Sequence, residues 1–528
     1  MNSLKISNAP LKGLEGFKQN WKTDLLAGFM VFLLALPLSL GIAKASGFPA
    51  SMGVLTAIIG GLISPFFKVS ALTIKGPAAG LITICSGAIL EFGEQGWKIA
   101  AAAIMVAAIF QIILAKFKLG SLSDFFPHSA VHGMLAAIGI IIIAKQIPVL
   151  LGDDPSLYAG EGPIELLLDI PMFVGNAHLH IGIVGIIGVL VMFGLPRIGI
   201  KVLQKVPAPL IVLVLSIPLA LYWHFRETEP AYSLVQIGDF WGMLDFNFDF
   251  SWISKFVFWK YVFMFLFVNS LESLLTVKAV DNLDPYKRTS DYNGDLTGVG
   301  FGNFFSAMLG GLPMISEVVR STANIGFGGR TKWSNFFHGF FLLLAMLFII
   351  PFIEMIPNSA LAAMLIYAGY RLAAPRQFLH TYRIGKEQLA IFITTIAVTL
   401  LEDLLLGIAA GILVEFIFHI YHGAKVKYLF KACYELKDSD HLLEVNVCES
   451  AIFSNLIGFK KLLDEIPHDK AIRFNFSETK LIDHSFMAFI SHYQKEYSIK
   501  GGQFELAGLE NHKSFSEHDL ATKKLIKI

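Results

Sequence analysis

The sequence predicts a polytopic α-helical membrane protein that ends in a small α/β domain. Of its 528 residues 55% are hydrophobic and 16% are charged, whereas a soluble domain usually carries about a quarter charged residues. Uncharged stretches also recur, and each approaches or exceeds the roughly 20 residues with which a helix crosses a bilayer: 25–43, 45–67, 126–144, 177–196, 206–225 and 333–353. Residues 436–528, by contrast, have the composition of a soluble domain.

The apolar part divides into fourteen predicted spans, with external loops at 152–177 and 225–253. Basic residues precede the first span (Lys5, Lys12, Lys18, Lys22) and follow the last (Lys425, Lys427, Lys431). Because positive flanks favour the cytoplasmic side, both termini are predicted to be cytoplasmic, which requires an even number of spans. The spans are predicted near 23–43, 48–67, 73–91, 97–117, 129–151, 178–195, 206–224, 257–279, 292–310, 316–327, 333–354, 356–373, 386–401 and 403–421.

The chain is therefore divided into four parts. Residues 1–22 form a cytoplasmic segment, 23–423 the membrane domain, 424–435 a basic linker and 436–528 the α/β domain. In the last part "HLLEVNV" and "AIRFNF" alternate as strands do. Between and after them, "FSNLIGFKKLLDEI" and "SFMAFISHYQKEYS" are typical of amphipathic helices. Strands that alternate with helices predict a largely parallel sheet.

Several classes of function are not supported by the sequence. The chain has no Walker loop, so ATP-driven transport is not expected, and no Ser/His/Asp or Cys/His arrangement suggests an enzyme. We also expect no cofactor and no nucleic-acid partner. The cysteines 85, 433 and 448 have no disulfide or metal-ligand spacing and are interpreted as small apolar residues. Histidines 128, 132, 178, 180 and 338 also lack ligand spacing and are expected at membrane interfaces.

Two predicted spans are interrupted by Gly and Pro. They are "VSALTIKGPAAGLITICSGAI" (69–89) and "GGLPMISEVVRSTANIGFGG" (310–329). Each is the third segment of one half of a seven-plus-seven arrangement. Such a pair at matching positions indicates an inverted-repeat transporter with its site between the two segments.

The interrupted segments offer residues for an anion site. A half-helix that begins in mid-membrane directs free N–H groups and a positive dipole end at a ligand. Small residues allow the backbone to approach that ligand, and charged or hydroxyl side chains add to it. The predicted substrate-binding residues are Gly76, Pro77, Ala78, Lys75, Ser316 and Arg320. In the alternative, Lys75, Glu317 and Arg320 form a salt-bridge set that only locks the two segments together.

A single acid, Glu272, follows the apolar run "YVFMFLFV" in the eighth predicted span. Intramembrane acids usually face the protein interior and have a function. Glu272 could carry a coupling proton or, with Thr276 one turn on, ligate sodium; Glu317 is a further coupling candidate. In the alternative, Glu272 lies near a helix end and reaches water without a role.

In order along the chain, these motifs resemble those of SulP-type anion transporters, the bacterial relatives of pendrin and prestin. The matching stretches are "DLLAGFMVFLLALPLSLGIA" (24–43), "IKGPAAG" (74–80), "SLESLLTVKAVDNL" (270–283) and "GFGNFFSAMLGGLPMISEVVRSTANIGFGGRT" (300–331). Residues 436–528 resemble a STAS domain, with "ETKLIDHSFM" (478–487) at a strand-to-helix turn. The resemblance covers essentially the whole chain.

The resemblance implies fourteen spans in two inverted repeats, split into core and gate domains, with elevator-like transport. It places a small inorganic anion between the third and tenth spans and assigns coupling by Na⁺ or H⁺ to Glu272. It also implies a homodimer in the cell (inner) membrane and a cytoplasmic protein partner for the STAS domain. Leu38 follows the first-span Pro37 where the family often has Gln, and variants with Leu resemble bicarbonate-transporting members. Lys75 and Glu317 replace residues that are usually small or neutral. Sulfate and bicarbonate both remain candidate substrates.

Two other functions stay open at this stage. One is a nucleobase-type permease with the same repeat fold, against which the STAS domain and the charges of Lys75 and Arg320 argue. The other is a non-transporting sensor or scaffold, in which the membrane part binds an anion and the STAS domain gives the output.

Overall fold

The computed structural model describes most of the chain: residues 9–11, 13–118, 127–158, 161–195, 206–242, 244–286, 288–402, 404–439, 442–466, 470–499 and 502–526. Lys5 and Lys12, which contribute to the predicted topology, lie outside these residues. The chain forms two compact units, residues 1–120 with 138–371, and residues 121–137 with 372–528. The boundary at 371/372 differs from the division predicted at 423/424, because the last two apolar helices group with the C-terminal residues.

The first unit is built from helices and one short strand pair. Its helices are α1 (Gly13–Ala45), α2 (Ala50–Ile63), α3 (Ile82–Phe92), α4 (Gly96–Lys116), most of α5 (His128–Leu151), α6 (Pro163–Leu168), α7 (Ile170–Gly175), α8 (Leu179–Gly194), α9 (Ala208–Tyr222), α10 (Phe225–Thr228), α11 (Phe256–Leu283), α12 (Tyr292–Met308), α13 (Val318–Gly326), α14 (Trp333–Phe348), α15 (Ile350–Ile353) and α16 (Asn358–Leu372). The strands are β1 (Ile74–Pro77) and β2 (Met314–Glu317).

Helix length and composition agree with a polytopic membrane protein. Among the described residues five helices are long and apolar enough to cross a membrane: α1, α4, α5, α11 and α19 (Leu404–Tyr421). Shorter apolar helices lie at 50–66, 79–92, 179–194, 208–222 and 333–348. The number of fourteen spans stays a prediction. Helix α1 begins at Gly13, ten residues before the predicted span at 23, because the polar stretch before that span is also helical.

Each interrupted segment contains the predicted short helix, together with a strand that was not predicted. In each, a four-residue strand replaces the first part of the span, and a helix follows: β1 leads through a 3₁₀ turn into α3, and β2 leads directly into α13. Both strands are completely buried. The third segment of each predicted half therefore contains a helix that begins in the interior of the first unit.

The second unit contains the remaining elements. Its helices are α17 (Pro375–Ile384), α18 (Lys386–Leu401), α19 (Leu404–Tyr421), α20 (Leu456–Glu465) and α21 (His484–Ile499), together with the start of α5. Its strands are β3 (Tyr434–Asp438), β4 (Leu442–Val447), β5 (Glu449–Ala451), β6 (Ala471–Asn475), β7 (Thr479–Ile482), β8 (Phe504–Ala507), β9 (His512–Ser514) and β10 (Lys523–Leu525).

The C-terminal strands and helices confirm an α/β region, and its sheets are mixed rather than largely parallel. In the sheet ordered β3-β4-β6-β8 the β4–β6 and β6–β8 pairs are parallel, but β3 and β4 pair antiparallel because a short connection joins them as a hairpin. The sheet ordered β5-β7-β10-β9 has one parallel pair, β5–β7. The hydrophobic core of the α/β region is rich in aromatic residues and includes Phe459, Phe474 and Phe486, which are inaccessible to solvent.

Candidate functional site

The centre of the first unit is the antiparallel pair of β1 and β2. Its register places Lys75 opposite Ser316, and Gly76 opposite Ile315. Because β1 leads toward α3 and β2 leads into α13, the pair brings the starts of two short helices together in the interior. Free N–H groups at helix starts favour negative charge, so the arrangement suits an anion.

Neighbouring helices hold the strand pair with side-chain amides and hydroxyls. Asn303 of α12 accepts from the Met314 N–H (2.6 Å) and donates to the Met314 carbonyl (3.1 Å). Asn335 of α14 accepts from the Lys75 N–H (3.0 Å), and Ser321 accepts from the Ile74 N–H (2.9 Å). Backbone groups that a two-stranded ladder leaves unpaired are thereby satisfied, as buried groups require.

Arg320 of α13 is the most unusual side chain of the site. It is completely buried, and none of its three side-chain nitrogens has a hydrogen-bond partner within the described part of the chain. Its guanidinium lies against β1: a Cβ atom at Gly76 would overlap Nη1 and come within 3.1 Å of Cζ. The absence of a side chain at Gly76 therefore makes the space that the guanidinium occupies.

Glu272 of α11 lies against the start of the other half-helix. Its side chain is 7% exposed, and a Cβ at Gly80 would overlap Oε1 and lie 2.5 Å from Cδ. Oε2 has no hydrogen-bond partner among the residues described. Thr276, one turn on, is buried as well. The burial of Glu272 removes the alternative in which it reaches water at a helix end.

Lys75 is engaged elsewhere. It is fully buried, and its Nζ lies 2.6 Å from Oδ1 of Asp295 and also donates to Thr73. Asp295 further accepts from the Ser70 N–H (2.9 Å) and from the Ser316 hydroxyl (2.8 Å). Lys75 and Ser316 thus both use their polar groups on one carboxylate that α12 supplies.

The structure does not form the considered salt-bridge set of Lys75, Glu317 and Arg320. Glu317 caps α13 instead, because its Oε2 accepts from the Arg320 backbone N–H at 2.7 Å. Glu317 and Glu272 are close enough to repel each other when both are ionised. The Arg320 guanidinium is close enough to Glu317 for the two charges to attract each other, but it makes no hydrogen bond to that carboxylate.

A cavity of about 380 Å³ lies next to Arg320. Of the predicted site residues only Arg320 and Glu317 line it. The others do not: Lys75, Gly76, Pro77, Ala78, Glu272, Thr276 and Ser316. Most of the lining is apolar, and it comes from α1, α8, α9, α13 and α16. A second cation, Arg371 at the end of α16, also lines the cavity. The lining charges are thus two cations and one carboxylate.

Three residues of this region were not predicted as parts of a site. Asp295 lies in the predicted ninth span, where an acid in an apolar segment could have indicated a functional residue. Arg371 looks like an ordinary basic residue at a helix end, and Gly80 is the last residue of the quoted "GPAAG". The expectation of an interfacial His338 is wrong: it is completely buried in α14, and neither ring nitrogen has a partner in the described residues.

Comparisons with known proteins identify the family of the chain. A model of the Sulfate permease family matches residues 21–395. The bicarbonate transporter BicA of Picosynechococcus is 26% identical over 75% of this chain and 69% of its own length. Sulfate transporter 4.1 of Arabidopsis thaliana is 25% identical over 77% of this chain and 59% of its own.

Solved structures share the fold. The overall structure of SLC26A9 matches with a TM-score of 0.66 at 15% identity and covers 93% of this chain and 85% of that one. The family match spans well over half of the sequence and includes both interrupted segments and Glu272. The chain therefore belongs to the Sulfate permease family, a family of membrane transporters of small inorganic anions rather than of enzymes.

Proposed function

We propose that the protein is a secondary transporter that carries sulfate or bicarbonate across the cell (inner) membrane. The observation that carries the proposal is Arg320, a fully buried cation whose three nitrogens have no partner among the described residues, beside a cavity. An unpaired buried charge is costly, and removal of one partner of a buried pair costs about 3–5 kcal/mol. A small oxyanion is the partner that a guanidinium recognises best, through two parallel hydrogen bonds.

The surroundings of Arg320 support an anion over a neutral ligand. Two cations and one carboxylate line the cavity, so the charges around it favour an anion. A cavity of 380 Å³ is roomy for such an ion, because one water occupies about 30 Å³ in the liquid. The ion could therefore enter with part of its hydration shell.

We further propose that transport is coupled to protons or sodium through Glu272, with Thr276 and Glu317 as its neighbours in the coupling site. Two observations support this role. Oε2 of Glu272 has no hydrogen-bond partner among the described residues, and the ionised carboxylates of Glu272 and Glu317 repel each other. A proton or a sodium ion bound between the carboxylates would relieve that repulsion. Cation and anion binding would then favour each other.

The remaining features of the proposal follow the family. The protein would work as a homodimer with both termini in the cytoplasm, by elevator-like movement of a core domain against a gate domain. The α/β region from β3 to β10 would act as a STAS domain that binds a cytoplasmic protein partner. Ser485, in the first turn of α21, is 2% exposed, which supports docking over phosphorylation.

Uptake into proteoliposomes tests the function. Labelled sulfate and labelled bicarbonate are supplied in parallel, with an inward proton or sodium gradient imposed separately. We expect one anion to accumulate under one gradient, and Glu272→Gln to abolish accumulation while the folded protein still binds the anion. Uracil uptake that neither anion inhibits would instead support a nucleobase permease, and anion binding without flux would support a sensor.

A further inference from the structure

The second unit contains a buried group of three potential metal ligands that the transport site does not use. Glu415 and His419 stand one turn apart on the same face of α19, and Asp483 immediately precedes α21. Their side chains are 0%, 3% and 0% exposed. One carboxylate oxygen from each acid and one ring nitrogen lie within 4.8 Å of one another.

The distances within this triad are wrong for direct hydrogen bonds. Nε2 of His419 lies 3.5 Å from Oδ2 of Asp483 and 3.7 Å from Oε1 of Glu415, whereas such bonds are about 2.7–3.2 Å long. Neither carboxylate oxygen of Glu415 has a hydrogen bond of good geometry within the described residues, although the Gln388 side chain interacts with this carboxylate. A fully buried carboxylate without such a hydrogen bond requires something to compensate it.

The same distances fit ligands of one metal ion. Bonds of about 2.0–2.1 Å in a tetrahedral zinc site leave about 3.3 Å between ligand atoms. Two carboxylates and one neutral imidazole carry two negative charges in total, which a divalent cation cancels. One coordination position then remains for a water molecule.

Asp483 is held in place for this role. Its Oδ1 accepts from the Phe486 N–H (2.7 Å) as the cap of α21, and its Oδ2 accepts from the Phe453 N–H (2.6 Å). Hydrogen bonds to a ligating carboxylate orient it, and such outer partners are a regular part of metal sites. Glu415 and His419 are fixed relative to each other by their helix.

We propose that Glu415, His419 and Asp483 bind a divalent transition-metal ion of the zinc type, which joins the last apolar helix to the C-terminal α/β region. The ion links residues 64 or more positions apart in the chain. It stabilises the second unit and is independent of the anion cavity.

Metal content of the purified full chain in detergent tests the site. We expect about one equivalent of metal per chain after dialysis against metal-free buffer, and removal of the metal by a chelator should lower the melting temperature. Added zinc chloride should restore it. Glu415→Gln and His419→Gln should each weaken zinc binding at least tenfold and make the melting temperature insensitive to chelator.

His422→Gln is the matched control. His422 lies beyond the end of the same helix and pairs with Glu387 at 2.5 Å, outside the triad. It should retain the wild-type metal content. The proposal would be overturned if the wild-type chain held less than a tenth of an equivalent of metal and its melting temperature did not respond to zinc. Equal metal loss in His422→Gln and His419→Gln would overturn it as well. Because metal content is measured directly, the test does not depend on transport.

Discussion

Substitution of Gly76 by alanine would move the one guanidinium on which the anion site depends. The new Cβ would overlap Nη1 of Arg320 and lie 3.1 Å from Cζ. To restore ordinary contact at about 3.5 Å, the guanidinium must retreat by about 1 Å. A displacement of that size costs up to about 10²-fold where geometry controls the interaction. We therefore expect the apparent affinity for the anion to fall about 10- to 100-fold, equivalent to about 1.4–2.7 kcal/mol.

The assay is the anion dependence of initial uptake into proteoliposomes, supported by anion-induced thermal stabilisation in detergent. Gly87→Ala is the control, because it makes the same change in the adjoining helix α3, where the new Cβ would approach only the Tyr261 hydroxyl, at 3.3 Å. It should transport like wild type and be slightly more stable, since alanine favours a helix over glycine.

Gly76→Ala with wild-type affinity and normal expression would refute this reasoning, because the anion would then not depend on the position of Arg320. A loss of affinity equal to that of Gly87→Ala would also refute it. In that case the effect would come from general disturbance of the half-helix.

Two further predictions concern groups outside the cavity. Lys75→Met leaves Asp295 as a buried acid without its cation, so we expect the free energy of unfolding to fall by about 3–5 kcal/mol, measured as a lower melting temperature. The double variant Lys75→Met/Asp295→Leu should recover much of this loss. Unchanged stability with lost anion affinity would instead return Lys75 to the binding site. The Sγ atoms of Cys433 and Cys448 lie 2.7 Å apart beside the β3–β4 pair. Mild oxidation should therefore join them in an intramolecular disulfide detectable by peptide mapping, which Cys433→Ser abolishes; persistence of two free thiols in oxidised wild type would contradict this.

The elements that sequence predicts best here are those with strong local signals. Gly and Pro at 76–77 and 310–313 mark the interrupted segments because they disfavour a continuous helix, and both segments contain the expected short helix. The strand that precedes each of these helices is not predicted by the sequence. The alternation of "HLLEVNV" likewise predicts β4, since period-two burial is a property of a few neighbouring residues.

Contacts between distant residues could not be predicted in the same way. Lys75 meets Asp295 across 220 positions, and no local pattern distinguishes this partner from Glu317 or Glu272. The cysteines were interpreted as isolated, yet strand pairing brings Cys433 and Cys448 together. Glu415 and His419 share a helix face, but Asp483 joins them only through the tertiary fold. Such pairs depend on packing, which one sequence does not specify.

Removal of the Arg320 charge tests the central claim most directly. Melting temperatures of wild type and Arg320→Met are compared without and with saturating sulfate or bicarbonate. We expect the variant to be at least as stable as wild type without an anion, because an apolar side chain has replaced a buried cation whose nitrogens make no hydrogen bond among the described residues. The stabilisation that the anion gives wild type should be absent in Arg320→Met. Equal anion-induced stabilisation of the two proteins would contradict the account, since the carried anion would then bind without Arg320.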